Sequence, residues 1–211
     1  GKASIETDHI ERFTENGILL KSGKELQADI IVTATGLNIQ IMGGVAVSVD
    51  GVPTKAGEKL TYKGVLLEGI PNAAMIFGYT NASWTLKADI ASEFFCRVIN
   101  HMDKKGYKTF KVRSDSSQHT PDTVFGGLSS GYVSRAASEL PRQGKDAPWR
   151  VTQDYMSDIP VLRYSSLEDD ILEFDGKVGK KPSRMEKHAL GAASKLADLV
   201  TSPLKGALGR S

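Results

Sequence analysis

Apolar and polar residues alternate from Ala3 to Ala28, and the alternation is interrupted at Glu15-Asn16-Gly17 and again at Ser22-Gly23-Lys24. Turn residues between short runs of period two predict a β-meander or small sheet. The pattern then changes: Ile30-Ile31-Val32 is a continuous β-branched run, the signature of a strand buried on both faces of a parallel sheet, and Ala34-Thr35-Gly36 ends it. Residues 37–70 are rich in Gly and Val, with Gly43-Gly44 and Asp50-Gly51 as turn signals, and predict an irregular, short-stranded excursion without a helix. Ala73 to Phe77 reads as a further apolar strand. It runs through Gly78-Tyr79-Thr80-Asn81-Ala82-Ser83 into a stretch where Leu86, Ile90, Phe94, Val98 and Met102 share one face at helical spacing, closed by Gly106.

Beyond that helix, Lys108 to Val112 predicts a short strand and Arg113 to Ser130 a polar surface loop. Helical patterns are expected around Val133–Leu140 and Gln153–Leu162, and a strand at Ile171–Phe174. A tail from Pro182 to Ser211 combines Lys with Ala and Leu and could form an amphipathic helix at Met185–Val200. No repeat is visible, so solenoids and propellers drop out. The chain opens without an initiator Met, directly in the alternating pattern, which suggests a cut chain.

Composition adds mostly exclusions. Lys plus Arg (27) nearly balance Asp plus Glu (25), and a net charge of +2 gives no reason to expect a nucleic-acid partner. A single cysteine, Cys96, excludes an internal disulfide and any multi-cysteine metal site, and its place in the helix suggests a core or groove residue. No run approaches the roughly 18 apolar residues of a spanning helix, so a cytoplasmic protein is expected, at most peripheral at the membrane. Lys187, Lys195 and Lys205 around Leu190, Leu196 and Leu199 would suit weak contact with a membrane surface through the tail.

The four histidines have no metal-ligand spacing. A serine nucleophile on a Gly-x-Ser-x-Gly elbow is not expected. Glu168-Asp169-Asp170 reads as a solvated acidic face. Neither Gly-x-Gly-x-x-Gly nor the P-loop pattern occurs, so the chain carries no phosphate-cradling loop of its own. The informative pattern is strand, Gly-Tyr-Thr-Asn-Ala-Ser, helix, because a helix start presents unpaired N–H groups and a positive dipole end. It suits an electron-rich ligand; the plainer reading is that Ser83 or Asn81 caps the helix.

Taken together, Ala28-Asp29-Ile30-Ile31-Val32-Thr33-Ala34-Thr35-Gly36-Leu37-Asn38 and Gly78-Tyr79-Thr80-Asn81-Ala82-Ser83-Trp84-Thr85-Leu86-Lys87-Ala88-Asp89 resemble the Ala-Thr-Gly segment and the last flavin-contacting stretch of flavin-containing and Baeyer–Villiger monooxygenases. Gly131-Tyr132-Val133-Ser134-Arg135, Glu139-Leu140-Pro141-Arg142-Gln143-Gly144 and Pro148-Trp149-Arg150 are most like the mycobacterial ethionamide-activating branch. The resemblance implies an α/β fold: the C-terminal part of a flavoprotein with two dinucleotide-binding domains, a mixed sheet with helices and a C-terminal extension. Residues 1–33 would end the NADPH-binding domain and include the return strand, 34–104 would close the FAD-binding domain, 105–181 would be the family-specific region and 182–211 a helical or disordered tail.

The resemblance also implies FAD and NADPH as cofactors, both needing sequence upstream, and oxygen insertion beside a ketone, or sulfur oxidation of a thioether or thioamide, through a flavin peroxide. Thr80, Asn81, Ser83, Trp84 and Thr85 would lie near the flavin, and Thr35 and Gly36, with Ala34, near the interdomain crossing. No catalytic residue is carried over, and the chain alone is expected to be inactive. A homo-oligomer is compatible with this picture. The alternative is a non-catalytic binding or interaction module derived from a flavoprotein.

Overall fold

A computed structural model describes residues 3–179, and the tail predicted at 182–211 lies outside the described residues. The chain divides after Leu37 into two compact units. In the first, β1 (Ile10–Thr14), β2 (Gly17–Leu20) and β3 (Glu25–Gln27) form a three-stranded antiparallel meander in the order β1-β2-β3. The turns fall at the two breaks in the alternation, and Phe13 pairs with Ile18, and Ile18 with Leu26, across the sheet. Gly17 is required at its position, because a Cβ there would sit 1.9 Å from the Leu26 carbonyl oxygen.

The expected buried parallel strand does not form. Residues 28–37 join no ladder, and Ile30 and Val32 are 82% and 84% exposed. A parallel strand obtains its hydrogen bonds only from neighbouring strands, and among the described residues nothing pairs with this run.

The second unit begins with irregular chain, as its Gly and Val content predicts. A 3-10 turn at Ile41–Gly44 leads to the hairpin of β4 (Val47–Val49) and β5 (Val52–Thr54), whose turn residues Asp50 and Gly51 both have positive φ. A second, wholly buried hairpin, β6 (Thr61–Tyr62) and β7 (Leu66–Leu67), follows. Ala73 to Phe77 makes only an isolated bridge from Ala74 to Leu66 instead of the expected strand.

Helix α1 (Trp84–Lys105) is the long element of this unit. It buries Ile90, Phe94, Val98 and Met102 as the spacing predicts, and stops at Gly106 in the left-handed conformation that ends many helices. Leu86 departs from the expectation and is exposed; the first inward position is instead taken by Lys87. Cys96 is exposed as well. It lies two residues from both Phe94 and Val98, hence on the opposite side of the helix.

Strand β8 (Phe110–Val112) pairs with β9 (Leu172–Phe174), and β10 (Lys177–Val178) completes an antiparallel sheet in the order β10-β9-β8. Between β8 and β9 lie the short helices α2 (Gly131–Arg135) and α3 (Tyr155–Asp158), the latter continuing into a π-helical turn at Ile159–Tyr164. The architecture is therefore helices with small sheets, and every ladder between these strands is antiparallel, against the expectation of a mixed sheet. The main core gathers Tyr62, Leu66, Phe94, Phe110, Trp149 and Leu172 about α1. A smaller cluster of Val124, Phe125, Val133 and Leu140 corrects the reading of 113–130 as a surface loop, since Val124 and Phe125 anchor it inside.

Candidate functional site

The chain enters α1 through a bend in which Gly78 and Tyr79 are buried, Thr80 is half-buried and residues 81–86 are exposed. Gly78 is dictated by the Trp84 indole, which lies against it so closely that a Cβ at residue 78 would fall 1.9 Å from the ring. The ring also tilts over Phe125, with centroids 6.4 Å apart, and Phe125 meets Phe77 edge-on at 5.6 Å. This aromatic shelf leaves Trp84 52% exposed at the open end of the helix.

Capping is not by the side chain expected. Ser83 occupies the N-cap position without a side-chain hydrogen bond to the helix backbone; its hydroxyl is 2.8 Å from that of Thr85. The first turn thus presents its N–H groups and positive dipole end beside exposed Asn81, Ser83 and Thr85. These residues suit an electron-rich, flat ligand resting on amides and an indole edge. Thr80, Asn81, Ser83, Trp84 and Thr85 are therefore brought together by one bend. Thr35 and Gly36 belong to the other compact unit, where both are exposed.

Beneath the bend lies a buried polar network that the spacing arguments missed. Lys87 Nζ is 2.6 Å from Asp158 Oδ2, with both side chains at most 5% exposed. Tyr79 Oη donates to the same oxygen at 2.5 Å, and Thr152 Oγ1 donates to Oδ1. Burial, reinforced by the bond to Asp158, pushes the Tyr79 hydroxyl well above the ordinary tyrosine range, so it remains a donor. One signal was available: Lys87 stands three residues before Ile90 on the apolar stripe, where a lone lysine demands a buried partner. Nothing local marks Asp158, 71 residues away.

A second network ties the buried hairpin to the chain after α3. Tyr62 Oη donates to Asp169, which also accepts the N–H groups of Ile171 and Leu172 at 3.0 and 2.8 Å. Asp169 is buried, so the acidic run is not simply a solvated face. Arg97 donates to the carbonyls of Leu162 and Ser165, and Lys63 Nζ donates to Ser165 Oγ at 2.7 Å. Burial lowers the Lys63 pKa to about 8; the Asp169 carboxylate opposes the shift and the Arg97 charge adds to it.

Because this folded value lies below the 10.5 of an ordinary lysine, the unfolded chain binds more protons between about pH 8 and 10.5. The contribution of Lys63 to stability therefore rises with pH through that window, by at most about 3 kcal/mol, while the Tyr62 and Tyr79 hydroxyls, whose pKa burial raises, act in the opposite sense above about pH 10. Lys63→Met is expected to lose that rise, as checked by urea unfolding at pH 7.5, 9 and 10.5; parallel pH dependences for the two proteins would refute it.

Two alternatives are set aside by geometry. The letters Gly127-Leu128-Ser129-Ser130-Gly131 do spell the Gly-x-Ser-x-Gly pattern, contrary to the expectation from sequence. No strand leads into them, and neither serine bonds to a histidine among the described residues, so the strand-turn-helix elbow that exposes such a nucleophile is missing. A separate cleft of about 240 Å³, lined by Ile41, Met42, Val45, Pro53, Lys55 and Glu139 among others, contains none of residues 78–87. Among the described residues no three His, Cys, Asp or Glu side chains group as a metal site, and no helix is long and apolar enough to cross a membrane.

Curated proteins similar to this chain are named as FAD-binding or FAD-containing monooxygenases. The chain is 51% identical over 187 residues to a probable FAD-binding monooxygenase, AlmA, of an Acinetobacter species, covering 89% of this chain and 38% of that protein. It is similar to the C-terminal part of FAD-containing monooxygenases. A putative FAD-containing monooxygenase of Mycobacterium tuberculosis, MymA, is 52% identical over 174 residues, and the FAD-containing monooxygenase EthA of the same organism 49%, each match covering 82% of this chain and 35% of the relative. The chain thus spans little more than a third of the length of these monooxygenases. No family model matches, and no solved structure matches.

Proposed function

We propose that this chain is the C-terminal portion of an FAD- and NADPH-dependent monooxygenase of the Baeyer–Villiger type. The observation that carries the reading is the bend at 78–85, with its uncapped helix start and half-exposed indole, in a chain about half identical to FAD-containing monooxygenases over most of its length. Bound FAD, reduced by NADPH, would supply the activation of dioxygen. The chain's own contribution is to bind and orient. The amides of the first turn of α1 would face the electron-rich edge of the ring, Asn81, Ser83 and Thr85 would offer hydrogen bonds, and Trp84 would form an apolar wall. Thr80 would serve chiefly through its backbone position, and Thr35 and Gly36 would allow close approach of backbone at the crossing between domains.

In this reading residues 1–33 end the NADPH-binding domain and include the return strand, 34–104 close the FAD-binding domain and 105–181 are the family-specific C-terminal region. The substrate is a small molecule, a ketone oxidised to an ester or a thioether or thioamide oxidised at sulfur. The sequence contains neither Gly-x-Gly-x-x-Gly nor a P-loop pattern, so in this reading the grip on the FAD pyrophosphate comes from elsewhere and the chain alone turns over no substrate.

The test is visible absorbance after purification with added FAD, for this chain and for a version extended upstream to the length of its relatives. Only the extended protein is expected to be yellow and to oxidise NADPH. Stoichiometric flavin on the short chain would overturn the division of labour, and a colourless extended protein would overturn the flavin assignment.

A further inference from the structure

Resting on that reading, we infer that Gln153 is a positioning residue for the flavin-facing bend, acting from the segment just ahead of α3. Its carboxamide joins two parts of the second unit. Oε1 accepts both the backbone N–H of Thr80 at 3.0 Å and the Thr80 hydroxyl at 3.2 Å, while Nε2 donates to the Val124 carbonyl at 3.1 Å. A planar amide bonded at both ends has little freedom to rotate, so the Thr80 backbone is held relative to the Val124-Phe125 strip. Phe125 is the floor on which Trp84 rests. One side chain therefore sets both the entry to the bend, at Thr80, and the support of its exit, at Trp84.

The neighbouring contacts act in the same direction. Asp158, five residues on, takes the Tyr79 hydroxyl and the Lys87 ammonium, so consecutive residues Tyr79 and Thr80 are each anchored to the 151–158 segment. Without these bonds the bend would rely on Gly78, whose lack of a side chain widens its backbone freedom. The Gln153 oxygen already takes both Thr80 bonds, and one of its two N–H groups is given to Val124. Its role is geometric, and the segment that supplies it belongs to the region after β8 whose purpose the flavin assignment leaves open.

Hydrogen exchange on this chain without any cofactor tests the inference independently of flavin binding. Gln153→Ala is expected to raise exchange at the Thr80 amide, whose N–H it holds, at least about tenfold, the loss of roughly one hydrogen bond's worth of protection, with residues 94–102 unchanged. Gln153→Glu keeps the acceptor for Thr80 but sets an oxygen against the Val124 carbonyl in place of the donor, and should restore only part of the protection. Unchanged exchange at Thr80, or an equal rise throughout α1, overturns the positioning role. In the extended protein loaded with FAD, the alanine variant should shift the visible flavin bands and the glutamate variant should shift them less; an unmoved spectrum in Gln153→Ala overturns the connection to the flavin. If the extended protein takes up no FAD, the flavin assignment fails, and the exchange result alone decides whether Gln153 orders the bend.

Discussion

Asp158→Ala is expected to lower stability by about 3–5 kcal/mol, the range found when one member of a buried ion pair is removed. The loss has several parts: Lys87 becomes an uncompensated buried cation, and the Tyr79 and Thr152 hydroxyls lose their acceptor in the same place. Urea unfolding followed by tryptophan fluorescence is a suitable measure, because Trp84 and Trp149 both lie in the second unit. Adding Lys87→Met to Asp158→Ala should recover part of the loss, so that the two changes combine to less than their sum. A loss under about 1 kcal/mol would mean that water reaches the pair and that it resembles a surface salt bridge.

Phe94→Ala is the second large effect, with an expected cost of about 3–5 kcal/mol. Phe94 is fully buried at the middle of the apolar stripe of α1, with its ring centroid 6.5 Å from that of Tyr62 and the Lys63 ammonium 5.3 Å from its centre. Truncation leaves a cavity bounded by rigid neighbours and removes a π-face from a buried cation at the same time. The same unfolding measurement, with Ile99→Ala on the partly exposed side of the helix as a reference, separates packing from helix propensity. Ile99 should cost well under half as much, and equal costs would show that the helix does not bury the face described.

Both effects bear on side chains of α1, Lys87 and Phe94, and α1 is the element that the sequence describes best. Its start, its stop at Gly106 and four of its five predicted inward positions follow from a 3.6-residue period, which the backbone imposes locally. The meander of the first unit is legible for a similar reason, since period-two alternation and turn residues act over a few positions. The short strands at 110–112 and 172–174 fall inside their expected ranges.

The failures have a common cause in longer-range pairing. Ile30-Ile31-Val32 has the composition of a central strand, yet a strand exists only where other strands complete its hydrogen bonds, and its period cannot say whether they are present. Ala73 to Phe77 is extended but gains one bridge in place of a ladder. Asp169, expected on a solvated face, is buried because the Tyr62 hydroxyl, 107 residues away, and two backbone N–H groups give it donors. At the candidate site the exposed residues Asn81, Ser83, Trp84 and Thr85 could be proposed from their motif. The residues that support the bend could not: Gln153 and Asp158 lie in a stretch that reads as an ordinary helical pattern.

What the sequence determined by itself is the meander of the first unit, the short strands at 110–112 and 172–174, the apolar face of α1 apart from its first turn, and a motif similar to that of FAD-containing monooxygenases. Tertiary structure alone decided that Lys87 would be an interior cation with Asp158 as its partner, that Lys63 would be buried in a hairpin turn, and that Gln153 would join Thr80 to Val124. The physical reason is the range of the interactions. Helical and turn preferences are settled among residues a few positions apart, whereas a buried charge or amide is stable only when folding brings a partner of complementary chemistry to it from far along the chain.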